Sequence, residues 1–271
     1  MQGLAILRAW GTDSTAVRAR ANEIVTISRE LDDGLYSDAA LVPEYEVGEG
    51  YRAWASAYDS TPNILFDAEE PVVHDLLSSV PRGRALDAAC GTGRHAAWLA
   101  EQGYEVVGID AVEEMLSIAR DKVPSARFRK GRLETLDLPD ASVDLAVCAL
   151  ALTHLPAIDQ AIGEMARVLA PGGHLVLSDV HPLSAALGLH AFFRSSSGDR
   201  GCIQNQYHPI SRYLDAFRAA HLEVEQCVEV PWNVQAIASM PTYDLMPQAL
   251  RQALQGLPLL LIWELSAPVR E

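Results

Sequence analysis

Two carboxylates and two glycines are the groups whose types and spacing suggest chemistry. Asp87 stands just before the tight run Cys90-Gly91-Thr92-Gly93, and Asp110 follows it. Glycine removes side-chain bulk, so a ligand can approach the backbone where the free N–H groups of a following helix wait. Two ligands suit this pattern. Gly91 to Ala96 reads G-x-G-x-x-A, which admits a nicotinamide dinucleotide, although that motif alone is weak. Asp87 points the other way, because a carboxylate before the loop repels a pyrophosphate and attracts an ammonium group. Asp110 can take a ribose diol in either case. An amino group near Asp87 and a ribose near Asp110 describe S-adenosylmethionine (SAM). The plainer alternative for Asp87 is a cap on the helix N-terminus.

These residues need a βαβ unit to hold them. Arg84 to Ala88 is short and apolar, as a strand should be. Arg94 to Gln102 has helical spacing, with Ala96, Ala97, Leu99 and Ala100 on one face and Gly103 as its stop. Tyr104 to Ile109 is a second strand that Asp110 closes. The unit belongs to a parallel sheet.

Residues 84–180 resemble the class I SAM-dependent methyltransferases, in particular the small-molecule branch that includes the ubiquinone-biosynthesis type. LDAACGTG resembles the first motif and GID the second-strand acid. GRLETLDLPDASVDLAVCALALTHL resembles the adenine-side and fourth-strand segments, and LAPGGHLVLSD the fifth-strand segment. These cover about a third of the chain, in the right order. Ala89 departs from the glycine many members carry, a change in size that should cost little.

The resemblance implies a Rossmann-like α/β fold: a doubly wound, seven-stranded, mostly parallel sheet with an antiparallel last strand. It implies SAM as cofactor and S-adenosylhomocysteine as product. Cofactor contacts fall on Asp87, Ala89, Gly91, Gly93 and Asp110, with Ala111 and Met115 on the ribose and adenine side. Arg132, Leu133 and Glu134 fall at the adenine edge. The pattern W-A-x-x-Y-D, here Trp54 to Asp59, lies over the cofactor in that family, which makes Tyr58 the aromatic contact. The end of the buried run 143–150, including Ala149, faces the crevice where such sheets bind ligands, and His154 follows it.

Methyl transfer from a sulfonium needs an acceptor held in line and water kept out. Some acceptors also need a base, for which His154, His181 and His208 are candidates because histidine titrates near neutrality. His181 and His154 follow strands at the crevice edge and stand ahead of His208; a structural hydrogen bond is the plainer role for each. Asp179 with His181 is only a pair, and no metal site is expected. Arg194 and Arg200 could meet a substrate carboxylate, or be solvated loop charges.

The domain reading is a helical extension and lid over 1–60, then a SAM-binding domain over 61–271 with substrate-cap insertions at 183–210 and 231–256. Helices are expected over 13–32, 49–58 and 68–79, the last with Pro71 in its first turn, and a loop over 35–46. With 21 basic against 36 acidic residues, the net charge of −15 repels nucleic acid and favours a small-molecule substrate. No apolar run is long enough to span a membrane, no signal peptide is read, and four scattered cysteines suit a reducing cytoplasm. A monomer or homodimer is expected. Two other classes keep this cofactor site or resemble it: a SAM-binding protein that transfers no methyl, such as a cyclase or regulatory partner, and a nicotinamide-dependent oxidoreductase.

Overall fold

A computed structural model describes residues 1–30, 42–60, 62–240 and 242–269. They fall into two compact units, Met1–Val42 with Pro231–Leu259, and Pro43–Val230 with Leu260–Glu271. The smaller unit begins with α1 (Gln2–Ala9) and α2 (Ser14–Arg29). Asp13 caps α2 by accepting from the Ala16 N–H, the standard use of a short carboxylate at a helix start. The expected end of this helix beyond residue 30, and residues 35–41 of the expected loop, lie outside the described residues.

In the larger unit, α3 (Val47–Trp54) runs into a 3₁₀ turn over Ala55–Ser60, so the aromatic stripe expected over 49–58 is split between two helix types. Next comes α4 (Ile64–Ser78), capped by Asn63. It starts about a turn earlier than expected, so Pro71 sits in its interior and not in its first turn. The βαβ unit follows as β1 (Arg84–Ala88), α5 (Arg94–Glu101) and β2 (Glu105–Asp110). Then come α6 (Glu113–Lys122), β3 (Arg127–Lys130), β4 (Val143–Ala149), α7 (Asp159–Val168) and β5 (Leu169–Val180). β5 begins before Pro171-Gly172-Gly173, which was expected to precede it. Its pairing slips instead, from Val143↔Leu169 to Leu145↔His174.

The interval 183–210 is more ordered than its polar composition suggests. It holds α8 (Pro182–Ala186) and a hairpin of β6 (Ala191–Arg194) and β7 (Arg200–Ile203), to which Glu44 adds a bridge at Cys202. The chain continues through α9 (Ile210–Ala219), β8 (Glu223–Pro231), α10 (Val234–Ala238), α11 (Pro247–Leu254) and β9 (Pro258–Ser266). The units therefore divide the chain differently from the 1–60 and 61–271 reading. Residues 43–60 belong to the larger unit, where Trp54 packs against Phe193 and Ile203 of the hairpin and Ala55 against Val112 and Met115 at the start of α6. Residues 231–256 belong with the N-terminal helices, where Arg8 donates to Ala253 O and buried Arg20 donates to Gln248 and Gln252.

The sheet order is β3-β2-β1-β4-β5-β9-β8, with β1 to β5 parallel and β9 antiparallel to β5, as expected for this fold. Adjacent β1 residues feed opposite faces. Leu86 enters the cluster with Ile162, Met165 and Phe217, and Ala85 the one with Leu77, Leu99 and Val106. Burial on both faces explains why the strands read as nearly unbroken apolar runs. The strand order reverses between β1 and β4, and ligands bind at the carboxyl ends of strands at such a switch.

Candidate functional site

The loop after β1 turns through three residues with left-handed backbone: Ala89 (φ 57°), Gly91 (φ 53°) and Gly93 (φ 80°). Gly93 has a second constraint, because a Cβ there would lie 3.2 Å from the Ala119 Cβ. Gly91 is the opposite case, for an added Cβ would meet nothing within 4 Å. That open face is where a ligand can reach the backbone. Ala89 carries the cost of its conformation rather than of its size, which corrects the expectation that alanine is nearly free there.

Asp110 turns back onto the loop. Its Oδ2 accepts from Gly91 N at 2.8 Å and its Oδ1 from Val112 N at 2.8 Å, while burial raises its pKa. A carboxylate has about four acceptor positions, so capacity for a hydroxyl donor remains. Asp87 is 2% exposed, and its Oδ2 accepts from Ala96 N at 2.8 Å. It therefore caps α5, the plainer of its two readings. Burial lifts its pKa to about 6, against the pull of His95, the Ala96 N–H and Arg94.

Both cations at the loop are neutralised by acids. Arg94 opens α5; it donates to Glu69 at 2.6 Å and Glu70 at 3.1 Å, with its guanidinium 4.4 Å above the Phe66 ring. Lys122 ends α6, and its Nζ lies 2.7 Å from Asp59 Oδ2 and 3.2 Å from Thr92 Oγ. Fully buried Glu69 gathers a wider network, since Oε1 also meets His95 Nε2 at 3.1 Å and accepts from Ser178 Oγ at 2.6 Å. Burial alone would raise the Glu69 pKa, but His95, Arg94 and Ser178 outweigh it and hold the carboxyl at about 2.

The segment 47–60 is tied near both ends, and Arg52 adds an exposed pair to Glu114 at 3.2 Å. Near one end, Asp59 Oδ1 accepts from Thr92 Oγ in the glycine loop at 2.8 Å. Towards the other, the Tyr51 hydroxyl meets His154 Nε2 at 2.7 Å, and His154 Nδ1 lies 3.4 Å from Gln204 O. A carbonyl only accepts, so Nδ1 carries the proton and Nε2 accepts from Tyr51. Burial lowers the His154 pKa to about 4, keeping the ring neutral. Burial raises that of Tyr51, helped by Tyr58, Asp110 and Asp179. Tyr58 packs edge-on to Trp54 at 4.7 Å and joins the cluster of Ala55, Val112 and Met115.

Other residues named from sequence are placed unevenly. Met115 is fully buried under this aromatic segment, whereas Ala111 is exposed. Leu133 lies in the core, with exposed Arg132 paired to Glu134 at 3.0 Å beside it. Ala149 is half-buried at the end of β4, next to Leu150 with φ 54°. His181 has both ring nitrogens engaged elsewhere: its Nδ1 caps α8 by accepting from Leu183 N at 3.1 Å, and its Nε2 meets Glu229 on β8 at 2.9 Å. His208 Nε2 is bonded to Leu155 O. Arg194 and Arg200 are exposed and stand opposite each other across the hairpin. Asp179 is buried against the Tyr213 hydroxyl, and burial lifts its pKa to about 7. Sequence reasoning missed Glu69 and Lys122, which had no local signal, and the part played by Thr92, which stood inside the glycine run it singled out. It also missed the roles of Asp59 and Tyr51, which lay on the segment it did single out.

An open α/β sheet with a glycine loop after β1, an acid ending β2 and an antiparallel penultimate strand defines the class I methyltransferase architecture. Residues 86–177 match the family model described as a methyltransferase domain, and they form a domain of this SAM-dependent kind. Demethylmenaquinone methyltransferase of Deinococcus radiodurans is 41% identical over 119 residues, 42% of this chain and 49% of that protein. A probable S-adenosylmethionine-dependent methyltransferase of Mycolicibacterium smegmatis is 28% identical over 228 residues, covering 74% of this chain and 88% of its own. The crystal structure of the [4+2]-cyclase SpnF matches the fold with a TM-score of 0.59 and 20% identity, covering 85% of this chain and all of that one. The chain spans about half the length of the demethylmenaquinone relative it matches.

Proposed function

We propose that this protein transfers a methyl group from SAM to an O, N or C atom of a small-molecule acceptor. The observation that carries this reading is the loop itself: an open backbone at Gly91 beside Asp110, with Arg94 and Lys122 both spent on carboxylates. A diphosphate is held best by free cations, and both Arg94 and Lys122 are already paired with carboxylates. A ribose diol and a cationic amino-acid end suit carboxylate acceptors. The residues at hand fit the cofactor: Asp110 for the ribose, the Gly91 turn for backbone approach, and Tyr58 with Met115 as the apolar wall. When bound, SAM supplies a methyl already activated by its sulfonium.

The protein's part is to orient the acceptor and exclude water, which the aromatic segment 47–60 is built to do. His154 and His181 each have both ring nitrogens engaged, which supports an acceptor that needs no histidine base, such as a neutral amine or an oxygen ionised in solution. The same saturation suits a SAM-binding protein that transfers no methyl; SpnF, which shares the fold, is a [4+2]-cyclase. Among the described residues no helix is long and apolar enough to cross a membrane. The net charge of −15 supports a small molecule over a nucleic acid, and a cytoplasmic monomer or homodimer completes the reading. Calorimetric titration tests it: SAM and S-adenosylhomocysteine bind and NADH does not, and a trial acceptor then releases S-adenosylhomocysteine. Uptake of NADH with no response to SAM overturns it; SAM binding without release across acceptor classes favours the non-transferring alternative.

A further inference from the structure

We propose that Asp59 is a positioning residue that latches the aromatic segment 47–60 onto the glycine loop, so that filling the loop and closing the wall above it are one event. The geometry is specific. Asp59 Oδ1 accepts from Thr92 Oγ at 2.8 Å, its Oδ2 pairs with Lys122 Nζ at 2.7 Å, and Lys122 reaches back to Thr92 at 3.2 Å. Thr92 stands between the two left-handed glycines and is almost fully buried, so its hydroxyl reports the loop's backbone conformation directly. The latch immediately follows Tyr58, whose ring touches Trp54, Tyr51 and Phe66. A shift of the loop therefore moves the wall, and loss of the latch frees the wall while leaving the sheet untouched.

Asp59 and Lys122 keep side-chain exposures of 42% and 32%, so cutting this tie perturbs global stability little. Its effect is local. The far anchor, Tyr51 on His154, is a neutral hydrogen bond to a different strand end, so the segment has a second hold and loosens at the Asp59 end rather than detaching.

The inference concerns the cofactor loop of the proposed methyltransferase and rests on that reading only for the identity of the ligand. Hydrogen-exchange mass spectrometry on the full chain tests it, with wild type, Asp59→Asn and Thr92→Val compared with and without S-adenosylhomocysteine. We expect amides of 47–60 to exchange about tenfold faster in both variants, the scale of one charge-assisted hydrogen bond, with β1 and β4 unchanged. S-adenosylhomocysteine should slow exchange in 47–60 in wild type and far less in the variants, and Asp59→Glu, which keeps the charge, should recover the protection. Unaltered exchange over 47–60 in both variants, or acceleration spread evenly through β1 and β4, overturns the latch. If S-adenosylhomocysteine fails to bind wild type, the methyltransferase reading falls, and the ligand-free comparison still decides the latch.

Discussion

Replacing Glu69 with glutamine keeps the shape of the side chain and removes its charge, and it should destabilise the fold by about 3 kcal/mol at neutral pH. The magnitude follows from the site. The carboxyl is held at about 2 against an ordinary 4.5, and each pKa unit is worth about 1.4 kcal/mol. A similar figure comes from buried ion pairs, where removing one partner costs about 3–5 kcal/mol because the other is left uncompensated. Here Glu70 retains a hold on Arg94, which favours the lower end. For a chain of this size the loss corresponds to a Tm lower by about 6–12 °C. The sign with pH is fixed. A carboxyl depressed in the folded state stabilises above its unfolded pKa and loses that contribution as pH falls through its folded one. Calorimetric melting of wild type and Glu69→Gln should thus show the full gap above about pH 5, shrinking between 4.5 and 2. A gap that stays constant down to pH 3, or a variant as stable as wild type, refutes the reasoning.

Two further outcomes follow from the backbone and from His154. Ala89→Gly should stabilise by about 0.5–1 kcal/mol, since relief of a left-handed alanine (~1–2 kcal/mol) exceeds the added chain entropy of glycine (~0.5–1 kcal/mol); a lower urea midpoint would mean the methyl's packing matters more. His154, neutral in the fold with a pKa of about 4 against an ordinary 6.5, should lend stability that is full above pH 6.5 and lost as pH falls through 4, up to about 3 kcal/mol before solvent screening. NMR titration should find that pKa and see it rise in Tyr51→Phe, which removes the donor to Nε2; no change would break the assigned tautomer.

The sheet was legible because strands buried on both faces leave unbroken apolar runs, and the loop because glycine pairs with an acid at the next strand end. The same residues show what sequence does not carry. It reads the size of Ala89 and not its φ. It places His181 at a strand end, where a cap and a base look alike until Glu229, 48 positions downstream, takes the second nitrogen. Glu69 finds Ser178 at a separation of 109, beyond any local pattern. Pro71 reads as a first-turn residue only while the Asn63 cap goes unnoticed.

Asp87 shows how a ligand preference can survive a change in its cause. The choice of a sulfonium nucleoside over a diphosphate rested on one carboxylate aimed at the ligand, yet that carboxylate is buried and bonded to Ala96 N. What disfavours a diphosphate is the fate of the positive charges. Arg94 is held by Glu69 and Glu70, Lys122 by Asp59, and the Gly91 N–H is already donated to Asp110. A dinucleotide would have to break charge-assisted bonds, one of them to the fully buried Glu69, to gain comparable ones, so its binding would carry little net gain. A ribose diol needs an acceptor, and Asp110 retains one. Selectivity at this loop is thus set by how completely its cations are paired from α4 and from the segment before it, elements that lie outside the glycine motif.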